Sequence, residues 1–600
     1  MPETVSAVVA CPPRVSSALL LSLEQPTAAD RDLTRLVNFF DIPCQAVTTR
    51  EHMDQSQGQY AIVSSADCLA DAIEGSLDFG RALPPWISKA STVYVYGFQN
   101  SGRSTKLLRF LTGDPQAEVR PINNQEAVMT VTADYPDMCG PMSGMRVPVT
   151  LRAPGCVYAG SLGAGAFQSI IRADEGEVFF GVTCAGVRFF LNMWGSTLDI
   201  DALAAEYFDV KKFFCEAVPV TFYLKWAFRD AALSRREINA CLIVDDPPLK
   251  RRYGFLDFRE ALDLMGRHNF ATTIAFIPWN WRRTDQRTVS MFQNNPERLS
   301  LVVHGCDHTS GEFAERSAVL LNRKLRTSTQ RMERFRRRAS LKADRVMVFP
   351  QGQFSPETGR ALKLNEFDAA VNTEVAPAQG AVNKTTIADL WSLAIMRYGT
   401  FPIFTRRYLH HGIENFAFDA LLGKPCLIAS HHDVFRNHAR DLVDMVARLN
   451  SLKWNLVWRP LGEVIRRGFT VRPLDDGTRV VRMFASSMMV ENTSAEVYNL
   501  LLLKEEGDPD CLESVSVNEA PVAFNAEDGY LRVRLTLVPG DAANVRVVYR
   551  NNFQEAATRD SSGAKIKIAA KRYLSEFRDN YLSRNDFLYQ SATRVKRLMK

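Results

Sequence analysis

The chain contains 600 residues, 46% of them hydrophobic and 23% charged, and carries a formal net charge of +6. This composition is that of a globular protein and the length predicts three or four domains, while no stretch approaches the roughly 20 apolar residues that a membrane-spanning helix needs. The eleven cysteines are scattered without a C-x-x-C pair, which argues against a disulfide framework, and the basic surface with interleaved aromatic residues that is typical of nucleic-acid binding is missing.

The N-terminal segment, residues 1–215, alternates short apolar runs with helical patterns. This predicts an α/β domain of Rossmann or flavodoxin type with a parallel or mixed sheet. Glu3 stands where a secretory signal peptide would be basic, so we expect the protein to be cytoplasmic. The stretch GFQNSGRS fits a phosphate-binding loop except that Arg103 replaces the lysine, so a plain turn is favoured and no cofactor-binding residue is assigned.

The middle of the chain has the most regular pattern. Residues 216–235 are mostly apolar and predict a helix that links the first domain to the next. From 236 to 470, short apolar strands alternate with helical patterns, which predicts a complete or deformed (β/α) barrel. The predicted strands carry the sequences ACLIVDD, ATTIAFIP, LSLVVHG, RVMVFP, DAAVNT, CLIASHHD and NLVWRP.

The pattern changes after Gly468 to short alternating strands with turn signals, and residues 471–555 are predicted to form a small β-sandwich. Residues 556–600 predict a basic helical tail, because ten Lys and Arg stand against three acidic residues between 561 and 600, a net charge of +7. Three interpretations of this tail stay open: peripheral contact with a membrane surface, docking on a partner, or a solvated amphipathic helix.

Polar residues follow the predicted barrel strands, and eight of the nine histidines of the chain lie in this domain. Barrel enzymes place their catalytic groups at the C-terminal ends of the strands. Two imidazoles and one carboxylate with an open position are the ligand set of a catalytic zinc centre. The residues that we single out at these strand ends are Asp245, Asp246, His304, His308, Pro350, Gln351, His431 and His432.

The order of these motifs resembles the polysaccharide deacetylase superfamily, also known as the NodB-homology domain, over residues 236–470. The resemblance implies that Asp245 acts as a base and that Asp246, His304 and His308 hold a divalent metal. Zinc is the expected metal, with cobalt, nickel or iron as alternatives. The fold class expected for the whole chain is α/β, with a barrel of polysaccharide-deacetylase type between the N-terminal sheet domain and the β-sandwich.

The last motif of the family ends in a catalytic histidine. Here the resemblance implies His432, directly before Asp433, with His431 as the second choice. The sequence departs from the family at two positions: Val348 stands where the arginine that orients the base is expected, and Pro247 replaces the usual glycine after the Asp pair. Both departures concern residues expected to set the orientation and the pKa of the base.

The ligand set predicts a metal-dependent hydrolase, and the resemblance implies that it removes an acyl group from an N-acylated sugar, with a carbohydrate as its partner and no nucleic acid. Trp279 and Trp281 are expected to stack on sugar rings, although packing at the barrel rim explains them equally well. Pro350 and Gln351 are expected to contact the substrate.

Two functions of other classes stay open. A glycoside hydrolase on the same barrel would flank its pocket with two carboxylates about 5 to 9.5 Å apart and would not need a metal. A catalytically silent carbohydrate-binding or scaffold protein is the second alternative, and it is favoured by the valine at position 348 in place of the family's arginine.

Overall fold

The computed structural model describes residues 15–22, 25–48, 59–79, 82–122, 124–160, 167–229, 232, 237–452, 454–551 and 562–584. Contacts divide the chain into two compact units. The first comprises residues 1–202, 209–234 and 472–474, and the second comprises 203–208, 235–471 and 475–600. No helix among the described residues is both long and apolar enough to cross a membrane.

The first unit is built on an eleven-stranded mixed sheet. Its parallel half follows the predicted α/β alternation and contains, side by side, the strands Cys44–Thr48, Ser17–Ser22, Tyr60–Ser65, Thr92–Tyr96 and Val187–Asn192. The remaining strands are Glu118–Ile122, Glu126–Val131, Arg146–Thr150, Gly155–Ala159, Gln168–Ala173 and Gly176–Cys184, which pair antiparallel. The helices are Ala28–Phe39, Ala66–Ala72, Glu74–Phe79, Pro85–Ser88, Gly102–Thr112, Pro136–Cys139 and Phe214–Ala227.

Two of these helices bear on the sequence predictions. The helix Gly102–Thr112 begins at Ser101, whose side chain accepts a hydrogen bond from the backbone N–H of Ser104. The GFQNSGRS stretch is therefore a strand-to-helix turn. The helix Phe214–Ala227 buries twelve of its fourteen residues, so it is a core element of the first unit.

The second unit contains the predicted (β/α) barrel, whose fold is confirmed. Its strands are all parallel and follow the order Ile238–Asp245, Thr272–Phe276, Leu299–His304, Asp344–Val348, Ala369–Asn372, the segment 403–408 and Cys426–Ser430, which pairs with the first strand. The barrel closes within the segment 403–408, since Ile403–Thr405 pairs with the fifth strand and Arg407–Tyr408 pairs with the last. Arg406 lies at this junction. A further strand, Leu456–Trp458, pairs with the beginning of the first strand.

Apolar side chains fill the barrel interior. Successive side chains of a strand point to opposite faces, and Cys241 and Ile243 on the first strand share one buried cluster with Val346 and Val348 on the fourth. Leu461, the first residue of the helix Leu461–Arg466, belongs to the same cluster. Because the interior is apolar, polar side chains are confined to the strand ends.

Several of the helices between the barrel strands begin at polar capping residues, which satisfy otherwise unpaired backbone N–H groups. Asp257, Asp285 and Ser317 each accept a hydrogen bond from a backbone N–H of the first turn. The helices are Phe258–His268, Gln286–Asn294, Ala318–Ala339, Pro356–Leu364, Ile387–Trp391, Ile413–Leu421 and Arg440–Ser451.

The predicted β-sandwich follows the barrel within the second unit. One sheet contains Phe469–Pro473, Thr478–Met483, Tyr498–Glu505, Tyr530–Leu537 and Asn525–Glu527, and the other contains Ser487–Glu491, Ala542–Tyr549, Leu512–Val517 and Ala520–Pro521. The inward-facing residues form one buried cluster. The chain then forms a helix, Ser562–Asn580, here called the C-terminal helix, and a short turn, Leu582–Arg584. The rest of the predicted basic tail lies outside the described residues.

Candidate active site

Three of the predicted site residues converge at the C-terminal ends of the barrel strands. Asp246 follows the first strand, and its Oδ1 atom lies 3.1 Å from His308 Nε2 and 3.6 Å from His304 Nε2. One ligand atom of each residue lies within 4.8 Å of the other two. The structure therefore brings together the residues that the resemblance assigned as metal ligands.

The protonation state of this cluster fits a divalent metal. His304 Nδ1 lies 2.9 Å from the carbonyl oxygen of Val348, to which it donates, so Nε2 presents its lone pair to Asp246. Burial lowers the pKa of His304, and burial likewise lowers the pKa of His308 to about 4, which keeps both imidazoles neutral. Burial opposes the ionisation of Asp246, but the neighbouring His308 and His304 outweigh it and the pKa falls to about 2.

An orphaned atom supports the same conclusion. Asp246 Oδ1 is buried without a hydrogen-bond partner in the described part of the chain, a costly arrangement unless a ligand completes it. The backbone of Asp246 has φ +84°, a left-handed conformation that few non-glycine residues adopt. This turn directs Asp246 to the histidines, while Asp245 makes a separate ion pair.

A buried carboxylate that the sequence analysis missed holds the histidine loop. Glu312 accepts hydrogen bonds from the backbone N–H groups of Cys306, Asp307 and His308, at 3.0, 2.9 and 3.2 Å. A Cβ atom at Gly305 would lie 2.4 Å from Glu312 Oε2, which explains why glycine follows His304. The only sequence signal for Glu312 was an acidic residue four positions after His308.

Cys306 and Asp307 lie beside the cluster but have other partners. Burial raises the pKa of the Cys306 thiol well above its usual range, so the protonated thiol is a poor metal ligand. Asp307 accepts a hydrogen bond of 2.6 Å from Arg331. This contact ties the helix Ala318–Ala339, which carries Arg331, to the histidine loop.

Asp245 is held by an arginine that the sequence analysis did not find. Arg406 Nη1 and Nη2 donate to Asp245 Oδ1 and Oδ2 at 2.7 and 2.6 Å, and both side chains are buried. Burial opposes the ionisation of Asp245, but the Arg406 guanidinium outweighs it and lowers the pKa. An arginine therefore pairs with Asp245 although residue 348 is a valine, and Val348 contributes its carbonyl oxygen to His304.

The two adjacent histidines after the last strand have different surroundings. His431 is exposed and lines an open cleft of about 670 Å³ together with His410 and Asp433, and it acts electrostatically on both Asp245 and Asp246. His432 is buried, and its Nε2 atom lies 3.7 Å from Asp579 Oδ1. The exposed histidine therefore faces solvent beside the cluster, and the buried one contacts the C-terminal helix.

The predicted substrate-binding residues are distributed around the rim. Trp279 is half-buried and packs edge-on against Tyr573, with 5.9 Å between ring centroids. Trp281 is half-buried beneath the Arg282 guanidinium. Pro350 is buried beside Gly305, whereas Gln351 is exposed. Trp279 and Pro350 thus pack against other residues, and Gln351 is the most exposed of these four residues.

The C-terminal helix lies on the loops that follow the barrel strands, a contact between residues about 300 positions apart that no local pattern could reveal. Glu576 pairs with Lys250 and Arg283. Other contacts are a hydrogen bond from Tyr253 to Asp579 and one of 2.8 Å from the Gly254 backbone N–H to Asn580 Oδ1.

Comparisons with known proteins were made at three levels. The sequence matches no protein-family model and no curated protein. The chain is similar to the crystal structure of Agd3, a carbohydrate deacetylase, with 10% identity, 89% of this chain and 99% of that chain covered, and a TM-score of 0.47. It is also similar to a family 4 carbohydrate esterase from Streptomyces lividans (9% identity, 36% and 86% covered, TM-score 0.23) and to the peptidoglycan N-acetylglucosamine deacetylase Bc1960 (15% identity, 38% and 88% covered, TM-score 0.24). Carbohydrate deacetylases, the group that the sequence motifs resemble, thus recur among similar structures.

Proposed function

We propose that the barrel is a metal-dependent hydrolase that removes an acyl group from N-acylated sugar units of a carbohydrate. One observation carries this proposal: an ionised carboxylate with an orphaned oxygen faces two neutral imidazoles at the catalytic end of a (β/α) barrel. The carbohydrate substrate follows from the motif resemblance of residues 236–470.

Asp246, His304 and His308 would hold the metal, for which zinc is our first choice because two histidines and one carboxylate suit it. The bound ion would supply an acidified water and polarise the amide carbonyl. The hydrogen bond from His304 Nδ1 to the Val348 carbonyl fixes the ligating nitrogen, and Glu312 fixes the loop that carries His308.

Asp245 would accept the proton of the attacking water. The two hydrogen bonds from Arg406 keep this carboxylate ionised and fix its orientation. An ion pair makes a carboxylate less basic, so we infer that Asp245 acts mainly by orienting the water and by taking its proton as the amide carbonyl is attacked.

We assign the proton donor for the departing amine to His431 in preference to His432. His431 is exposed at the cleft and acts electrostatically on both Asp245 and Asp246. The ring of His432 is enclosed by Tyr253 and Phe255, with Asp579 beside it. We infer that His432 positions the C-terminal helix.

The alternatives lose their main support. A glycosidase needs two carboxyl groups available to the substrate, but Asp245 is paired with Arg406 and Asp246 faces His304 and His308. The silent-module interpretation depended on the missing arginine, and Arg406 occupies that role. Cytoplasmic location is also part of our proposal, supported by the free cysteines among the described residues.

Metal content and deacetylase activity test the proposal. The purified protein is expected to contain close to one zinc, cobalt, nickel or iron ion per chain by mass spectrometry and to release acetate from N-acetylated oligosaccharides. Asp246→Asn and His308→Ala should lose both, whereas His268→Ala, which changes a histidine at the end of a barrel helix, should lose neither. A folded protein that stays metal-free after zinc and cobalt are offered would overturn the metal-dependent mechanism.

A further inference from the structure

The C-terminal helix brings one arginine into the barrel mouth. Arg572 is only 5% exposed, whereas the neighbouring Lys571 and Tyr573 are exposed. Its Nε atom is buried and has no hydrogen-bond partner among the residues that the structure describes. A buried guanidinium with an unmet donor is costly, so a ligand is expected to complete it.

The position of Arg572 is fixed by the residues that follow it on the same face of the helix. Glu576, one turn later, pairs with both Lys250 and Arg283. Asp579 and Asn580, in the next turn, contact Tyr253 and Gly254. These contacts anchor the helix to the loops after the first and second barrel strands, beside Asp246.

Arg572 acts electrostatically on the proposed metal ligands. Burial raises the pKa of Asp246 and lowers that of His308, whereas the positive charge of Arg572 lowers both values. The charge balance of the site follows from its members. Arg406 offsets Asp245, Arg572 offsets Asp246, and the imidazoles are neutral, so a divalent cation would leave a net charge of +2 that favours an anionic ligand.

We propose that Arg572 is the carboxylate-binding residue of this site, and that it receives an oxygen of the acid released from the amide. The site would therefore bind small aliphatic carboxylates such as acetate. Guanidinium groups suit this ligand because their N–H donors match the geometry of a carboxylate. This inference rests on the proposed function, but its test does not depend on turnover.

The test is acetate binding to the zinc-loaded full chain by isothermal titration calorimetry. Arg572→Gln is expected to weaken acetate binding about tenfold, and Arg572→Lys, which keeps the charge without the planar fork, is expected to weaken it less. Lys565→Gln is the matched control, because it removes a positive charge from an exposed position of the same helix, and acetate binding should be unchanged.

The possible results separate this inference from the proposed function. Acetate binding that depends on Arg572, in a protein that releases no acetate from glycans, would overturn the deacetylase assignment and retain the binding site. Acetate release from glycans, together with an acetate affinity that is unchanged in Arg572→Gln, would retain the deacetylase assignment and overturn the inference about Arg572. Zinc loss or a lowered melting temperature in Arg572→Gln, with normal acetate binding by a stable Arg572→Lys, would show a structural role and overturn the inference.

A second inference comes from the opposite face of the same helix. Four large apolar side chains there are each more than half exposed, out of eleven exposed large hydrophobics among the described residues. Their spacing places them within one face about 80° wide. The contacts of Glu576 and Asp579 prevent the helix from turning this face inward. The four residues, here called the apolar stripe, are Ile566, Leu574, Phe577 and Tyr581.

Positive charge borders the apolar stripe. Lys567 and Lys571 are exposed beside it, and residues 561–600 carry a net charge of +7 in the sequence. An apolar face flanked by lysines is the pattern of a helix that lies in the interface of an anionic bilayer. We infer that the apolar stripe docks on an anionic lipid surface, which would place the barrel beside a membrane.

Vesicle co-sedimentation tests this docking. The full chain is expected to bind vesicles of phosphatidylglycerol and phosphatidylcholine, and to bind pure phosphatidylcholine vesicles at least about tenfold more weakly because the lysines lose their partner. Leu574→Gln/Phe577→Gln should lose about tenfold or more in binding, since each buried apolar side chain contributes strongly. Val382→Ser, at a 72% exposed position elsewhere, is the control and should bind normally. Equal binding by the double variant, or a dimer by light scattering that only this variant abolishes, would overturn the inference.

Discussion

The ion pair between Asp245 and Arg406 provides the sharpest prediction, because it is buried and each oxygen of the carboxylate accepts one hydrogen bond. Replacing Arg406 with Met leaves the Asp245 carboxylate buried and uncompensated. Removing one partner of a buried pair costs about 3 to 5 kcal/mol. The Arg406→Met variant is therefore expected to be less stable by this amount, and its turnover should fall about 100-fold or more because the base is no longer oriented.

Stability is measured by urea denaturation, and turnover by acetate release from N-acetylated oligosaccharides, corrected for the folded fraction. Adding Asp245→Asn to Arg406→Met removes the buried charge, so the double variant is expected to recover more than about 1 kcal/mol relative to the sum of the single variants. Turnover should stay low in the double variant, since the base is gone.

The neighbouring residue offers a matched control. Arg407 lies in the same barrel segment as Arg406 and pairs with the buried carboxylate of Asp419 at 2.5 and 2.9 Å. Arg407→Met should cost similar stability while leaving the turnover of the folded fraction intact. Arg406→Met within about 1 kcal/mol of the parent protein, or equal losses of turnover in both variants, would refute the orienting role of Arg406.

Three further predictions concern the site and its support. His431→Asn should lower turnover about 100-fold or more, whereas His432→Asn should lower the melting temperature with a smaller effect on turnover; the reverse pattern in acetate-release assays would assign the proton donor to His432. Glu312→Gln should weaken zinc affinity about 10-fold to 100-fold in a chelator competition assay, because the loop that carries His308 loses its charged acceptor; unchanged affinity would contradict this. The pKa of Asp419 is lowered because Arg407 and Lys424 outweigh its burial. The stability that Asp419 contributes is therefore complete above its unfolded pKa of about 4 and is lost as the pH falls toward the lower folded value. Asp419→Asn should flatten the dependence of the urea midpoint on pH below about 4, and an unchanged slope would show that another group is responsible.

The sequence could predict those parts of the site that depend on local pattern. Strand ends are visible as polar residues after apolar runs, and parallel strands of a barrel bring their ends to one face. The alternation therefore predicted that these residues lie on one face, whereas the choice of Asp246, His304 and His308 as a set came from the resemblance. Arg406 was invisible for a physical reason. It lies 161 residues from Asp245, and only the closure of the barrel within the segment 403–408 brings the two together.

The C-terminal helix shows the same limit more strongly. Its basic composition left a membrane contact, docking on a partner and a solvated helix open, because net charge is a property of the whole segment. The contacts of Glu576, Asp579 and Asn580 depend instead on which side of the helix each residue occupies. The acidic minority anchors the helix, and Arg572 is buried among the site residues. Composition therefore predicted the positive charge of the exposed face of the helix but not the contacts of the face that lies on the barrel loops.

The choice between His431 and His432 depends on the backbone at the end of the last strand. His431 has φ −122° and ψ −176°, so the extended conformation of Cys426–Ser430 continues through it. Neighbouring residues of an extended segment point to opposite sides, and only one of two adjacent histidines can therefore face the cleft that His410 and Asp433 line. A Cβ atom at Gly254 would lie 2.3 Å from His432 Nδ1, so the ring of His432 lies tightly against the loop that contacts the C-terminal helix. With His432 committed to that side, alternation leaves His431 for the cleft.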